Sequence, residues 1–172
     1  MVLTEDACKR FQHGPKFPRP TLVYSGGFRD YKRPWVPLMV FDSLRKSAPG
    51  LQLLMIGDGP SRHRVEQMVK RTGSEGVRFL GRLGNHDLAQ IVSASWVNVH
   101  GSISEGRGLS IIEASANGTP TAAFAVPGVS EAVQPGVNGL LVPDGDLPVL
   151  TEVVERLLLS TDEWLGGALV WG

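Results

Sequence analysis

The chain has a single cysteine, Cys8, in 172 residues, so no disulfide can close within it. No apolar run approaches the roughly 18 residues of a membrane span. The opening MVLTEDACKRFQHGPKFPRP has no apolar stretch of the kind a signal peptide needs. A reducing cytoplasm is therefore the expected compartment. Charge of one sign is also lacking: seventeen basic and seventeen acidic residues cancel. No global field draws the chain to nucleic acid or to an anionic membrane, and charge-based recognition has to be local. Internal repeats and low-complexity segments are absent. The four histidines, His13, His63, His86 and His100, show no metal-ligand spacing.

What is present is a 42% hydrophobic composition, enough for one compact domain with a full core. Residues 1–20 carry Pro15, Pro18 and Pro20 among Lys9, Arg10, Lys16 and Arg19, and read as a linker or a tail over a surface. Residues 21–172 form the domain. There, short apolar runs (TLVYS, LQLLMI, VRFL, WVNVH, TAAFA, GLLVP) alternate with helical patterns. One helix carries Trp35, Leu38, Met39, Phe41, Asp42 and Leu44 on a mostly apolar face, with Pro34 and Pro37 in its first turn. The last carries Leu150, Val153, Val154, Leu157 and Leu158. Continuous apolar strands alternating with helices predict an α/β fold: a Rossmann-like parallel sheet of about six strands, covered by helices on both faces.

Ligands of such sheets sit beyond the carboxyl ends of the strands, which directs attention to the loops after Ser25, Ile56, Leu80 and His100. In SGGFRDYKRP, Gly26 and Gly27 allow close backbone approach, and Arg29, Lys32 and Arg33 bring cations; the bland alternative is a solvated basic turn. GDGP, 57–60, begins like a dinucleotide fingerprint but has Arg62 where the third glycine belongs, so a tight turn with Ser61 near a helix N-cap is expected.

The most specific loop is SISEGRGLSIIEASANGTP, 102–120, which holds Glu105 and Glu113 eight positions apart. A helix opening at Leu109 would present free N–H groups and a dipole suited to a diphosphate. Glu105 lies ahead of that helix and Glu113 about one turn inside it, leaning back toward its start. Both carboxylates can reach one cleft, where sugar hydroxyls are their natural partners. The competing view leaves Glu113 as a solvent-facing helical residue and Glu105 as a loop charge. A P-loop triphosphatase is a further rival, since Gly101 to Gly106 has the G-x-x-x-x-G spacing, followed by Arg107-Gly108. Arg107 and Gly108 then stand where the phosphate lysine and the magnesium-holding hydroxyl are needed. Asp144-Gly145-Asp146 mimics a D-x-D metal motif, but Asp146 precedes Leu147-Pro148 and is expected to cap the last helix, leaving no metal site. His100, at a strand end beside the cleft, is expected to be a hydrogen-bonded structural histidine.

SEGRGLSIIEASANGTP, together with GVSEAV, GVNGLLVPDGD, GDGP and RFLGRL in that family's order and spacing, resembles the C-terminal, donor-binding lobe of retaining GT-B glycosyltransferases, the glycosyl transferases group 1. The resemblance runs from about Thr21 to Ser160. It implies that Glu113 holds the ribose hydroxyls of a nucleoside diphosphate sugar (UDP-, GDP- or ADP-linked) and that Glu105 contacts the donor sugar. It further implies that the backbone at Gly106, Arg107, Gly108 and Leu109 holds sugar and diphosphate, that Lys32 meets the phosphates, and that Phe79 and Leu80 in RFLGRL flank the base. No metal or other cofactor is implied. The family's usual arginine five positions before the lysine is Gly27 here; either Arg29 substitutes or the diphosphate grip is weaker. Where an aromatic is common stands Arg107, which either adds a phosphate contact or points to solvent. The family's N-terminal acceptor lobe is not in this sequence. The expectation is a fragment of a longer chain or one that works with a separate lobe, inactive alone and peripheral to a membrane only through that lobe. A non-catalytic nucleotide-sugar-binding module is the alternative.

Overall fold

The structure, a computed structural model, describes residues 15–164, with side chains to residue 161. Cys8, His13 and the rest of residues 1–14 lie outside the described residues. Six strands form one parallel sheet: β1 Thr21–Ser25, β2 Gln52–Ile56, β3 Val77–Gly81, β4 Val97–His100, β5 Thr121–Phe124 and β6 Gly139–Val142, in spatial order β3-β2-β1-β4-β5-β6. The helices are α1 Trp35–Leu44, α2 Arg62–Thr72, α3 Asn85–Ala94, α4 Leu109–Ala116, the single turn α5 Val129–Ala132, and α6 Leu147–Trp164.

Alternate side chains explain why the strands are apolar throughout. Leu22 and Tyr24 of β1, with Leu53 and Met55 of β2, enter the main core beneath α1 and α6. Val23, Leu54 and Ile56 point the other way, against Val92 of α3 and Ala114 of α4. Both faces are buried, so neither needs polar residues. The face of α1 is rotated slightly from expectation: Val36, Pro37, Leu38, Val40, Phe41 and Leu44 are buried, while Met39 is 40% exposed. Pro37 is tolerated at the third helical position, where its missing N–H would have had no partner.

Part of the segment expected to be a linker or tail is bound to the domain. Phe17 N–H donates to Ala94 O at 2.8 Å, and Trp96 Nε1–H donates to Phe17 O at 2.8 Å. Lys16 Nζ donates to Ser93 O, Ser95 O, Gly118 O and Thr119 Oγ1 at 2.8–3.2 Å. It closes the C-terminal ends of α3 and α4, where the helix dipoles favour a cation. Burial lowers its pKa to about 8. Among the described residues no helix is long and apolar enough to cross a membrane.

Candidate functional site

The strand order reverses between β1 and β4, so the loops leaving those strands diverge and leave a crevice. There the structure brings together Lys32, Glu105, Arg107, Gly108, Leu109 and Glu113, with Ser25, Gly26 and Ser110 beside them, around about 350 Å³. Gly106 lines an adjoining hollow of about 240 Å³ with Ile112 and Glu131.

Lys32 is presented by a short 3-10 turn, Asp30–Lys32. That turn is braced by the next loop: Ser61 Oγ donates to Asp30 Oδ1 at 2.6 Å. Ser61 does occupy the position before α2, but its hydroxyl is spent on Asp30 and does not cap the helix. The glycines of GDGP serve the same inter-loop packing. A Cβ on Gly57 would lie 1.9 Å from Gly26 O, and one on Gly59 would lie 2.6 Å from Phe28 O. Close backbone approach accounts for both without a dinucleotide.

Lys32 Nζ donates to both oxygens of Glu105 at 2.9 Å. Glu105 is the more enclosed partner, its side chain 7% exposed against 17% for Lys32. Ser102 Oγ donates to Glu105 Oε1 at 2.6 Å, and His100 Nε2 lies 3.4 Å from the same oxygen. Burial by itself raises the pKa of Glu105. The hydrogen bonds from Ser102 and Lys32, aided by the Lys32 charge, outweigh that and hold it below the usual carboxylate range. His100 is buried, and burial pushes its pKa down to about 4; the Glu105 charge opposes this and Lys32 adds to it. The imidazole is therefore neutral near pH 7, hydrogen-bonded to Ser110 Oγ at 3.2 Å through Nε2.

The helix that closes the cleft begins after Gly108, whose backbone is left-handed (φ 59°) and whose Cβ, if present, would meet Ala132 Cβ at 2.7 Å. Only glycine permits both the turn and the contact with α5. The first N–H groups of α4, at Leu109 and Ser110, have no partner within the helix, and both residues line the cleft. Glu113, one turn on, is exposed, and its carboxylate has no partner among the described residues, unlike that of Glu105. Arg107 is exposed at the rim.

The remaining expected residues lie elsewhere. Gly27 O accepts a hydrogen bond from Tyr24 Oη at 2.8 Å, and Arg29 is exposed without lining the cleft. Phe79 packs between Phe28 (ring centroids 6.2 Å apart) and the Arg62 guanidinium, and Leu80 packs against the smaller core cluster. Neither side chain lines the crevice that holds Glu113. Asp144 pairs with Arg33 at 2.9 Å, and Asp146 Oδ1 accepts from Val149 N–H at 3.2 Å, capping α6 as expected. Sequence reasoning passed over Ser102, Ser110 and the bond from Ser61 to Asp30. The available signal was a hydroxyl three residues before Glu105 and another in the first turn of α4.

A six-stranded, all-parallel sheet with a helix N-terminus, a lysine and two glutamates at its switch point defines a Rossmann-like α/β lobe with a cleft at the carboxyl ends of its strands. The chain belongs to the glycosyl transferases group 1 family, whose profile matches residues 6–163. It is 33% identical over 151 residues to a D-inositol 3-phosphate glycosyltransferase of Saccharomonospora viridis, covering 82% of this chain and 35% of that protein. Among solved structures it resembles the sucrose-phosphate synthase of Thermosynechococcus elongatus, with TM-score 0.72 and 29% identity over 98% of this chain and 45% of that one. It also resembles Anabaena HepE in complex with UDP, with TM-score 0.72 and 25% identity over 84% of this chain and 40% of that one. The structural neighbours are GT-B glycosyltransferases, and the lobe here has their architecture. The chain spans about a third of the length of the curated relative.

Proposed function

We propose that this chain is the donor-binding lobe of a retaining glycosyltransferase, which passes a glycosyl group from a nucleoside diphosphate sugar to an acceptor hydroxyl with its anomeric configuration kept. The observation that carries this is the convergence of Lys32, the N-terminus of α4 and Glu113 on one cleft at the sheet's switch point. The complex of HepE, a structural relative, with UDP supports a nucleotide as the ligand. Lys32 and the free N–H groups of α4 meet the diphosphate, the exposed Glu113 takes the ribose hydroxyls, and Glu105 takes a sugar hydroxyl.

As the bond from the anomeric carbon to the diphosphate oxygen breaks, negative charge grows on the leaving diphosphate. A fixed ammonium and a helix N-terminus stabilise that charge without a metal. Acceptor recognition falls to a second lobe. Tyr31, Ile103, Leu109 and Ile112, each 45–61% exposed beside the cleft, suit a surface that another lobe covers.

Calorimetry of the purified chain with UDP, GDP and ADP at millimolar concentrations tests the binding claim: weak heat with at least one is expected, and none with any would overturn it. Donor hydrolysis or transfer is expected only when a separate N-terminal lobe is supplied. Multiple turnover by the pure chain would refute the half-site reading, and binding without transfer whatever lobe is supplied would favour a non-catalytic module.

A further inference from the structure

We infer that Ser110 is a directed hydrogen-bond donor into the cleft, aimed by His100 at the diphosphate end of the ligand. This rests on reading the cleft as a nucleoside diphosphate site.

The argument begins with the imidazole. His100 Nε2 lies 3.4 Å from Glu105 Oε1 and 3.2 Å from Ser110 Oγ, while Nδ1 is buried with no partner. A neutral imidazole carries one ring proton. If that proton were on Nδ1, a buried N–H would have no acceptor, and the bare Nε2 lone pair would face a carboxylate. Each is costly, since an unsatisfied buried donor loses its full desolvation energy. With the proton on Nε2, it meets Ser110 Oγ beside the Glu105 carboxylate, and only a lone pair at Nδ1 is left unmet. His100 is thus the donor, and Ser110 Oγ accepts.

Ser110 must then send its own proton elsewhere. Hydroxyls within helices commonly donate to the carbonyl one turn back. Ser43, Thr72, Thr151, Ser160 and Thr161 all do so in this chain. Ser110 cannot, because it is the second residue of α4 and the position four before it, Gly106, precedes the helix. Its O–H has no acceptor among the described residues and lies on the cleft wall beside the free N–H groups of Leu109 and Ser110. Three donors side by side, with Lys32 and Arg107 on the same cleft, call for a ligand group made of acceptors, and a phosphate is the part of a nucleotide sugar that fits. His100 is the positioning residue, and Ser110 makes the contact.

The test is calorimetry on the full chain with a nucleoside diphosphate, the matching nucleoside and inorganic pyrophosphate. Ser110→Ala should weaken the diphosphate and pyrophosphate about tenfold and leave the nucleoside unchanged. Ser110→Thr, which keeps the hydroxyl, should restore affinity to within about twofold. His100→Gln presents an amide N–H near the place of Nε2 and should bind nearly as the native chain does. His100→Leu should show the Ser110→Ala loss, and combining the two should add little further, because both remove one interaction. Unchanged diphosphate affinity in Ser110→Ala would overturn the inference, as would an equal loss with the nucleoside. Pyrophosphate separates the two levels. If native protein binds it, Ser110→Ala does not, and no nucleotide binds better than pyrophosphate, the ribose assignment falls and this inference stands. If the native chain binds neither nucleotides nor pyrophosphate, both fall.

Discussion

Lys32 Nζ sits 2.9 Å from each carboxylate oxygen of Glu105, so the two charges assigned to different parts of a donor neutralise one another in the free site. With the side chains 17% and 7% exposed, the pair is sheltered from water, and separating it without replacement would strand a charge. A diphosphate supplies the replacement: it can share or take over Lys32. The Ser102 and His100 contacts keep Glu105 in place while that happens.

Competition of this kind makes Glu105→Gln informative. The amide keeps an oxygen for Ser102 but loses the charge that holds Lys32 and repels phosphate. The variant should bind a nucleoside diphosphate several-fold more tightly than the native chain and lose selectivity for the intact nucleotide sugar. Calorimetry with the two ligands reads both effects. Weaker diphosphate binding would mean that the ion pair helps to build the phosphate site.

Acid should loosen the fold through the same cluster. The pKa of His100 falls from 6.5 in the unfolded chain to about 4 in the fold, so between those values the unfolded state takes up a proton that the folded state declines. That contribution to stability is complete above about pH 6.5 and is lost as the pH falls toward 4; it amounts to roughly 3 kcal/mol at most. Glu105, held below its ordinary value, acts in the same direction at lower pH. Denaturant unfolding at pH 7, 5.5 and 4.5 should show a steep decline for the native chain and a shallower one for His100→Gln. Parallel profiles would mean that the imidazole is more hydrated than its enclosure indicates.

Strand runs such as LQLLMI announced the sheet because β2 is buried on both faces, with Leu53 and Met55 on one and Leu54 and Ile56 on the other. The alternation with helices, and the G-R-G turn into α4, were enough to direct attention to the cleft and to Glu105, Glu113 and Lys32. Partner choice was less legible, because it depends on residues distant in sequence. Nothing local says that Glu105 meets Lys32, 73 positions away, or that Ser61 braces Asp30. Lys16 looked like one charge of a linker or of a tail over a surface, and nothing local says that carbonyls from two helix ends enclose its ammonium. Phe79 and Leu80 have the apolar character of a base-flanking pair; on opposite faces of β3, each is partly buried against a core cluster.

Asp146 offers a stability prediction with no effect on binding. Its carboxylate accepts from Val149 N–H at 3.2 Å at the start of α6, and its neighbour Asp144 is engaged with Arg33. Asp146→Ala should cost about 1 kcal/mol in denaturant unfolding, and Asp146→Asn should recover most of it. Nucleotide affinity should be unchanged in either variant and in the presence of a chelator. A manganese requirement for binding, abolished in Asp146→Ala, would turn the cap into a ligand.

Glu113 separates ribose recognition from phosphate recognition. Its carboxylate is exposed on the cleft and unpaired among the described residues, free to accept from two vicinal hydroxyls. The ribonucleotide should therefore bind more tightly than its 2′-deoxy analogue, by about 1.5–3 kcal/mol at most for one hydrogen bond to a charged acceptor. Glu113→Gln keeps the size and one oxygen but removes the charge, so it should weaken the ribonucleotide and narrow the ribo-versus-deoxy gap. Lys32→Ala removes a phosphate contact that both nucleotides share, so it should weaken them alike and leave the gap intact. Native, Glu113→Gln and Lys32→Ala titrated against the two nucleotides thus make six measurements with a fixed pattern. A gap that survives Glu113→Gln would reduce this glutamate to an ordinary helical surface residue and return the ribose assignment to other groups of the cleft.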